Sequence, residues 1–142
     1  MNTIEQFHAF AADFELCVHD DRWARLKKYF APDATYVNLG GPDPKCHGRD
    51  AILAFFKSDV DNTDRKFDTR TLTATSDPVA DGNRLFRRWR CTYTLAGAPD
   101  LVVTGESRYL FDDGLIKELE IELTGDTNQV LEQWMRDHGN KL

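Results

Sequence analysis

Apolar residues at Ile4, Phe7, Phe10, Ala11, Phe14, Cys17 and Val18 recur at three- and four-residue spacing. That spacing predicts an amphipathic helix over 4–18. Thr3 and Gln6 have the spacing of a capping box at its start. His8, Asp13 and Glu15 fall away from the centre of the apolar face, and His19-Asp20-Asp21 is a polar break. A second helix is predicted from Arg22, with Trp23, Leu26 and Phe30 on one face. Pro32 disfavours helical geometry at Ala31 and ends the run. The period then changes to two. Ala34, Tyr36 and Asn38 share one side of a strand, and Thr35 and Val37 the other. After the turn-rich loop Gly40-Gly41-Pro42-Asp43-Pro44-Lys45, Gly48-Arg49-Asp50 leads into a third helix carrying Ile52, Leu53, Phe55 and Phe56. Its tail, Asp59 to Arg65, reads as an acidic connector.

The second half is strand-like. Runs over 67–76, 84–95, 101–111 and 115–123 are separated by Asp81-Gly82-Asn83, Ala96-Gly97-Ala98-Pro99-Asp100 and Asp112-Asp113-Gly114. Short turns between consecutive strands imply an antiparallel meander. In the last strand Leu115, Leu119, Ile121 and Leu123 point one way and Glu118, Glu120 and Glu122 the other. In the strand from Arg84, the apolar set Leu85, Trp89, Cys91, Tyr93 and Leu95 opposes Arg84, Arg88 and Arg90. These arginines and glutamates can pair across the outer surface if their strands are neighbours. A final helix follows Gly125-Asp126, with a stripe of Val130, Leu131, Trp134 and Met135 and with Gly139 at the C-cap. Helices first and a meander afterwards give an α+β class, with helices on one face of the sheet.

Charge and composition remove some partners. The chain of 142 residues has a formal charge of −6 and a pI near 5.1, which argues against nucleic acid. No apolar run approaches a membrane span. The N-terminal residues lack the basic and apolar regions of a signal peptide. Three widely spaced cysteines, Cys17, Cys46 and Cys91, fit free thiols in a reducing cytoplasm. Cys46-His47 lacks further ligands at zinc spacing, and Asp59-x-Asp61-x-x-Asp64 lacks the glycine and closing glutamate of a calcium loop. Neither a metal nor a cofactor is therefore expected.

The order of elements, together with Trp23…Leu26…Tyr29-Phe30-Ala31-Pro32-Asp33-Ala34-Thr35-Tyr36, then Gly48-Arg49-Asp50-Ala51-Ile52, then Asp113-Gly114-Leu115-Ile116, resembles the nuclear transport factor 2-like superfamily. SnoaL-like polyketide cyclases, ketosteroid isomerases, limonene epoxide hydrolase and scytalone dehydratase belong to it. The likeness covers about residues 4–124. It implies a domain over 1–124 with a C-terminal helical extension over 125–142. It also implies three N-terminal helices packed on a strongly curved, mainly antiparallel sheet, which form a cone around a pocket. Many members are homodimers through the outer face of the sheet.

Function has to be read from the site, since one fold hosts many chemistries. By this resemblance Asn38 stands where steroid isomerases carry their base, and Phe14 where they carry a tyrosine; that mechanism is disfavoured. Tyr36-Val37-Asn38 matches the first-strand part of limonene epoxide hydrolase, but Arg88-Trp89-Arg90 replaces its Arg-x-Asp, and its water-activating aspartate falls near Ile121. The strand histidines of scytalone dehydratase are absent. Glu106 is the candidate acid or base. The resemblance puts it inward, whereas the alternation of Leu101, Val103, Tyr109 and Phe111 puts it outward, beside an arginine of a neighbouring strand. Arg70 and Arg88 read as outer-face residues, and Cys17 and Cys91 as core thiols.

The expectation is a cytoplasmic homodimer that binds a small, apolar organic molecule. Glu106, Tyr36 and Asn38 are its candidate catalytic residues. Phe14, Trp23, Phe55, Trp89 and Tyr109 form the substrate walls, with Phe7 beside them. The function expected is a cofactor-free isomerase, cyclase, dehydratase or hydrolase. The alternative is a non-catalytic binding or dimerisation module.

Overall fold

The structure, a computed structural model, describes residues 1–39 and 45–142. The turn-rich loop expected over 40–44 lies outside the described residues. Helix α1 (Thr3–Asp20) buries Phe7, Phe10 and Cys17. Its cap is Asn2, whose side chain accepts from the Glu5 N–H at 2.8 Å, and not Thr3. The Thr3 hydroxyl instead donates to the Gly82 carbonyl, tying α1 to the sheet. Asp21 ends α1 in the left-handed region at φ 65°.

The expected second helix is a 3-10 helix, Trp23–Tyr29, with Trp23 and Leu26 buried. Strand β1 (Phe30–Leu39) begins two residues before Pro32, earlier than the sequence reading placed it. Pro32 is tolerated because it falls in the register break between Phe30 and Thr35, where no ladder N–H is required of it. After β2 (Lys45–His47), helix α2 runs over Arg49–Asn62 with Ile52, Leu53, Phe56 and Val60 buried. The stretch expected to be an acidic connector therefore starts as helix, and Asp59 lies within α2.

The strands β3 (Thr69–Ala74), β4 (Val79–Asp81), β5 (Arg84–Thr94), β6 (Leu101–Asp112) and β7 (Leu115–Leu123) complete a curved, open sheet of order β2-β1-β7-β6-β5-β3, with β4 on β5. The β3-β5-β6-β7 meander is antiparallel, as expected, and β1 joins β7 in parallel. A bulge lies between β6 and β7, where Leu110 faces Glu118 and Phe111 faces Ile116. The extra residue, Lys117, pairs with Asp33 on the outside. The bulge swaps faces, so Ile116, fully buried, replaces Leu115 in the core.

Because β6 separates β5 from β7, the expected arginine–glutamate contacts run through the middle strand. Arg108 holds Glu120 at 2.9 Å, Glu106 at 3.2 Å and Glu122 at 3.3 Å. These half-buried surface pairs contribute roughly 0.2–1 kcal/mol each.

Helix α3 (Thr127–His138) lays Trp134 onto Phe67 and Tyr93, with its indole donating to the Pro99 carbonyl at 2.8 Å. Gly139 caps α3, but at φ −58° it is right-handed, and one more turn follows over Gly139–Lys141. Among the described residues no helix is long and apolar enough to cross a membrane.

Candidate functional site

A cavity of about 600 Å³ opens between the inner face of the sheet, α1 and α2, with Leu131 of α3 at its rim. Period-two alternation places Tyr36 and Asn38 on its β1 wall. Phe14 comes from α1, and Phe55 with Asp59 from one face of α2, four residues apart. The sheet supplies Arg70, Arg87, Trp89, Ser107, Tyr109 and Ile121.

Trp89 forms part of the floor by lying across β6. A Cβ on its cross-strand partner Gly105 would overlap the indole ring, so only glycine permits this approach. The indole N–H donates to Ser107 Oγ at 2.9 Å. Tyr36 packs its ring on Phe55 at 5.1 Å and edge-on to Phe56 at 5.6 Å. Among the described residues its hydroxyl makes no hydrogen bond. Its pKa is raised by burial and then by the charge of Asp59, so it stays a neutral donor near pH 7.

Asp59 lines the cavity and remains solvent-accessible. The apolar walls desolvate its carboxyl, and the negative charge of Asp64 adds to the effect, raising its pKa to about 6. A carboxyl poised there can take a proton near neutrality and return it. Arg70 points inward, contrary to expectation, but it is already committed. It donates to Asp64 at 2.5 Å and to Glu15 at 2.6 Å, which closes a charged tether between α1 and β3. Cys91 also lines the cavity; burial raises its pKa and keeps it a thiol.

The candidate set changes accordingly. Tyr36, Asn38, Phe14, Phe55, Trp89 and Tyr109 share the cavity. Trp23 does not line it. Its indole packs behind Phe14 and Phe56, at 5.6 and 6.2 Å, and donates to Asp21 at 2.7 Å, so it supports the wall from outside. Phe7 is buried beneath Tyr109 and Arg87. Glu106 is on the opposite face of the sheet, paired with Arg88 and Arg108, because β6 alternates inward at Leu101, Val103, Gly105, Ser107 and Tyr109. The strand pattern, and not the resemblance, gave its direction.

The sequence reading missed Asp59 and Arg87. Each had a signal. Asp59 is four residues after Phe55 and one before Val60, on the inner stripe of α2. Arg87 alternates with Leu85 and Trp89.

Residues 7–119 match the family model described as a SnoaL-like domain. Among solved structures, an LEH-like epoxide hydrolase from M. tuberculosis superposes with a TM-score of 0.66 at 13% identity, over 94% of this chain and 91% of that one. Bal32a, from a soil-derived mobile gene cassette, gives 0.69 at 19% identity, over 94% and 99%. TerC, co-crystallised with polyporic acid, gives 0.70 at 14% identity, over 94% and 98%. At these identities the likeness speaks for the fold. No curated protein matches the chain. The family match spans most of the sequence, and the curved α+β fold is shared with its structural neighbours: the chain belongs to the SnoaL-like domain family, within the nuclear transport factor 2-like superfamily.

Proposed function

We propose that the protein is an acid–base enzyme acting on a small, largely apolar carbonyl compound, with side chains alone performing an isomerisation, cyclisation, dehydration or hydration. The observation that carries this reading is Asp59, a carboxyl lining an aromatic cavity together with an unengaged Tyr36 hydroxyl. Asp59 takes a proton from carbon next to the carbonyl, or from water. Tyr36 donates to the oxygen that becomes negative, and the Asn38 amide orients the same group. Phe14, Phe55, Trp89 and Tyr109 supply the apolar contact. Asp59 thus takes the acid–base role first expected of Glu106.

The test is a screen of apolar enones and hydroxyketones, with products followed by mass spectrometry. Turnover is expected to fall about a hundredfold or more in Asp59→Asn and to stay unchanged in Glu106→Gln. Equal turnover in Asp59→Asn and the parent chain overturns the assignment.

A non-catalytic ligand carrier is the second reading. It is favoured by Asp59 having no hydrogen-bonding neighbour to orient it among the described residues. In that case ligands bind without turnover.

The reading extends to assembly and place. The outer face carries a hollow of about 490 Å³ where Val37 and Leu110 lie among Arg84, Arg108, Glu118 and Glu120. A mixed-charge patch of this kind can complement a second copy of itself, and it supports a homodimer. Analytical ultracentrifugation showing only monomer at micromolar concentration would remove that part. The buried thiols Cys17 and Cys91 support a cytoplasmic location.

A further inference from the structure

Two arginines line the cavity among the described residues, and they are treated differently. Arg70 is neutralised by Glu15 and Asp64. Arg87 lies on the inner face of β5, with its guanidinium carbon 4.9 Å from the centre of the Phe7 ring. Its Nε is buried with no hydrogen-bond partner, and no carboxylate among the described residues pairs with it. Ser107, opposite it on β6, already accepts from Trp89. Tyr109 stands next to it: burial raises the pKa of that phenol, and the charge of Arg87 works against the rise.

A guanidinium held against apolar walls without a counter-ion is costly, and the Phe7 face offsets only part of that cost. The side open to a counter-charge is the lumen. A planar fork of N–H donors suits a carboxylate better than any other common anion of a small organic molecule except phosphate, and the aromatic walls suit an aryl body.

We infer that Arg87 is a carboxylate-binding residue, and that the cavity takes an aryl carboxylic acid with its anionic end on the Arg87 guanidinium and its ring against Trp89 and Phe55. The inference deepens the acid–base reading by naming the substrate class, and it rests on that reading only for the claim that the bound acid reacts.

The experiment compares two probes of one shape, 2-naphthoate and neutral 2-naphthamide, by titration calorimetry on the full chain at neutral pH and low salt. Naphthoate is expected to bind at least about tenfold tighter. Arg87→Gln is expected to abolish that preference while leaving naphthamide affinity within about twofold. Equal affinity for the two probes, tighter naphthamide, binding of neither, or a preference that survives Arg87→Gln would each overturn the inference. The comparison on the unaltered chain decides the matter even if Arg87→Gln does not fold. Asp59→Asn separates the two readings. A chain that prefers naphthoate through Arg87 but shows no Asp59-dependent turnover refutes the enzyme and upholds the acid-binding site. Asp59-dependent turnover without the preference does the reverse.

Discussion

Replacing Asp59 by asparagine should make the protein more stable and less active at once. The carboxyl titrates at about 6 in place of 3.8, first because the apolar walls desolvate it and then because Asp64 is negative. The folded state therefore holds this proton more tightly than the unfolded chain does. The stability it contributes is complete below about pH 3.8 and is lost as the pH rises through 6. A rise from 3.8 to about 6 corresponds to about 3 kcal/mol at ~1.36 kcal/mol per pH unit. Asp59 is in contact with solvent, so screening reduces the effect to roughly 1–2 kcal/mol. Asparagine keeps the shape and removes the charge. At pH 7 the variant should melt ~3–6 °C higher than the parent. At pH 4 the parent is already protonated in its folded state, and most of the difference should disappear. Thermal melts by circular dichroism at the two pH values read both numbers. A variant no more stable than the parent at pH 7, or one with the same advantage at both pH values, would refute the placement of this carboxyl.

Three further changes test other parts of the structure. Gly105→Ala sets a Cβ against the Trp89 indole; a loss of roughly 1–3 kcal/mol is expected in urea unfolding, with a shift in tryptophan emission as the ring leaves the floor. Arg70→Gln leaves Glu15 and Asp64 facing each other without their cation; a cost of about 3 kcal/mol is expected at pH 7, shrinking on acidification as the two carboxylates take up protons. Glu106→Gln weakens outer-face pairs with Arg88 and Arg108; under about 1 kcal/mol should be lost, with ligand affinity untouched.

Period and punctuation carried most of the architecture. The first helix, the meander and the turn before the last strand stand where spacing placed them. What the pattern did not carry was the result of pairing. The bulge at Lys117 arises from register between two strands, and it moves Ile116 into a place that simple alternation gave to Leu115. The cap at Asn2 won over Thr3 because Gly82 captured the threonine hydroxyl across the fold. At the site, Tyr36, Asn38, Trp89 and Tyr109 share the cavity face that period two predicts, and Phe14 and Phe55 reach it from helical spacing, while Trp23 stands behind the wall. Asp59 was hidden by reading the tail of its helix as an acidic connector, and Arg87 was passed over when the face opposite Leu85 and Trp89 was assigned to Arg84, Arg88 and Arg90. Polar residues that share a phase with apolar neighbours are where this cavity keeps its chemistry.

The inward turn of Arg70 has a consequence for solubility. Among the described residues β3 is the last strand of the sheet, and its outer edge offers unpaired backbone groups to any passing chain. A charge pointing inward from an edge strand resists stacking, since a second strand docked there would have to bury or evict it. At the other end lies β2, described over Lys45–His47. The tether between α1 and β3 thus also guards the chain against edge-to-edge aggregation.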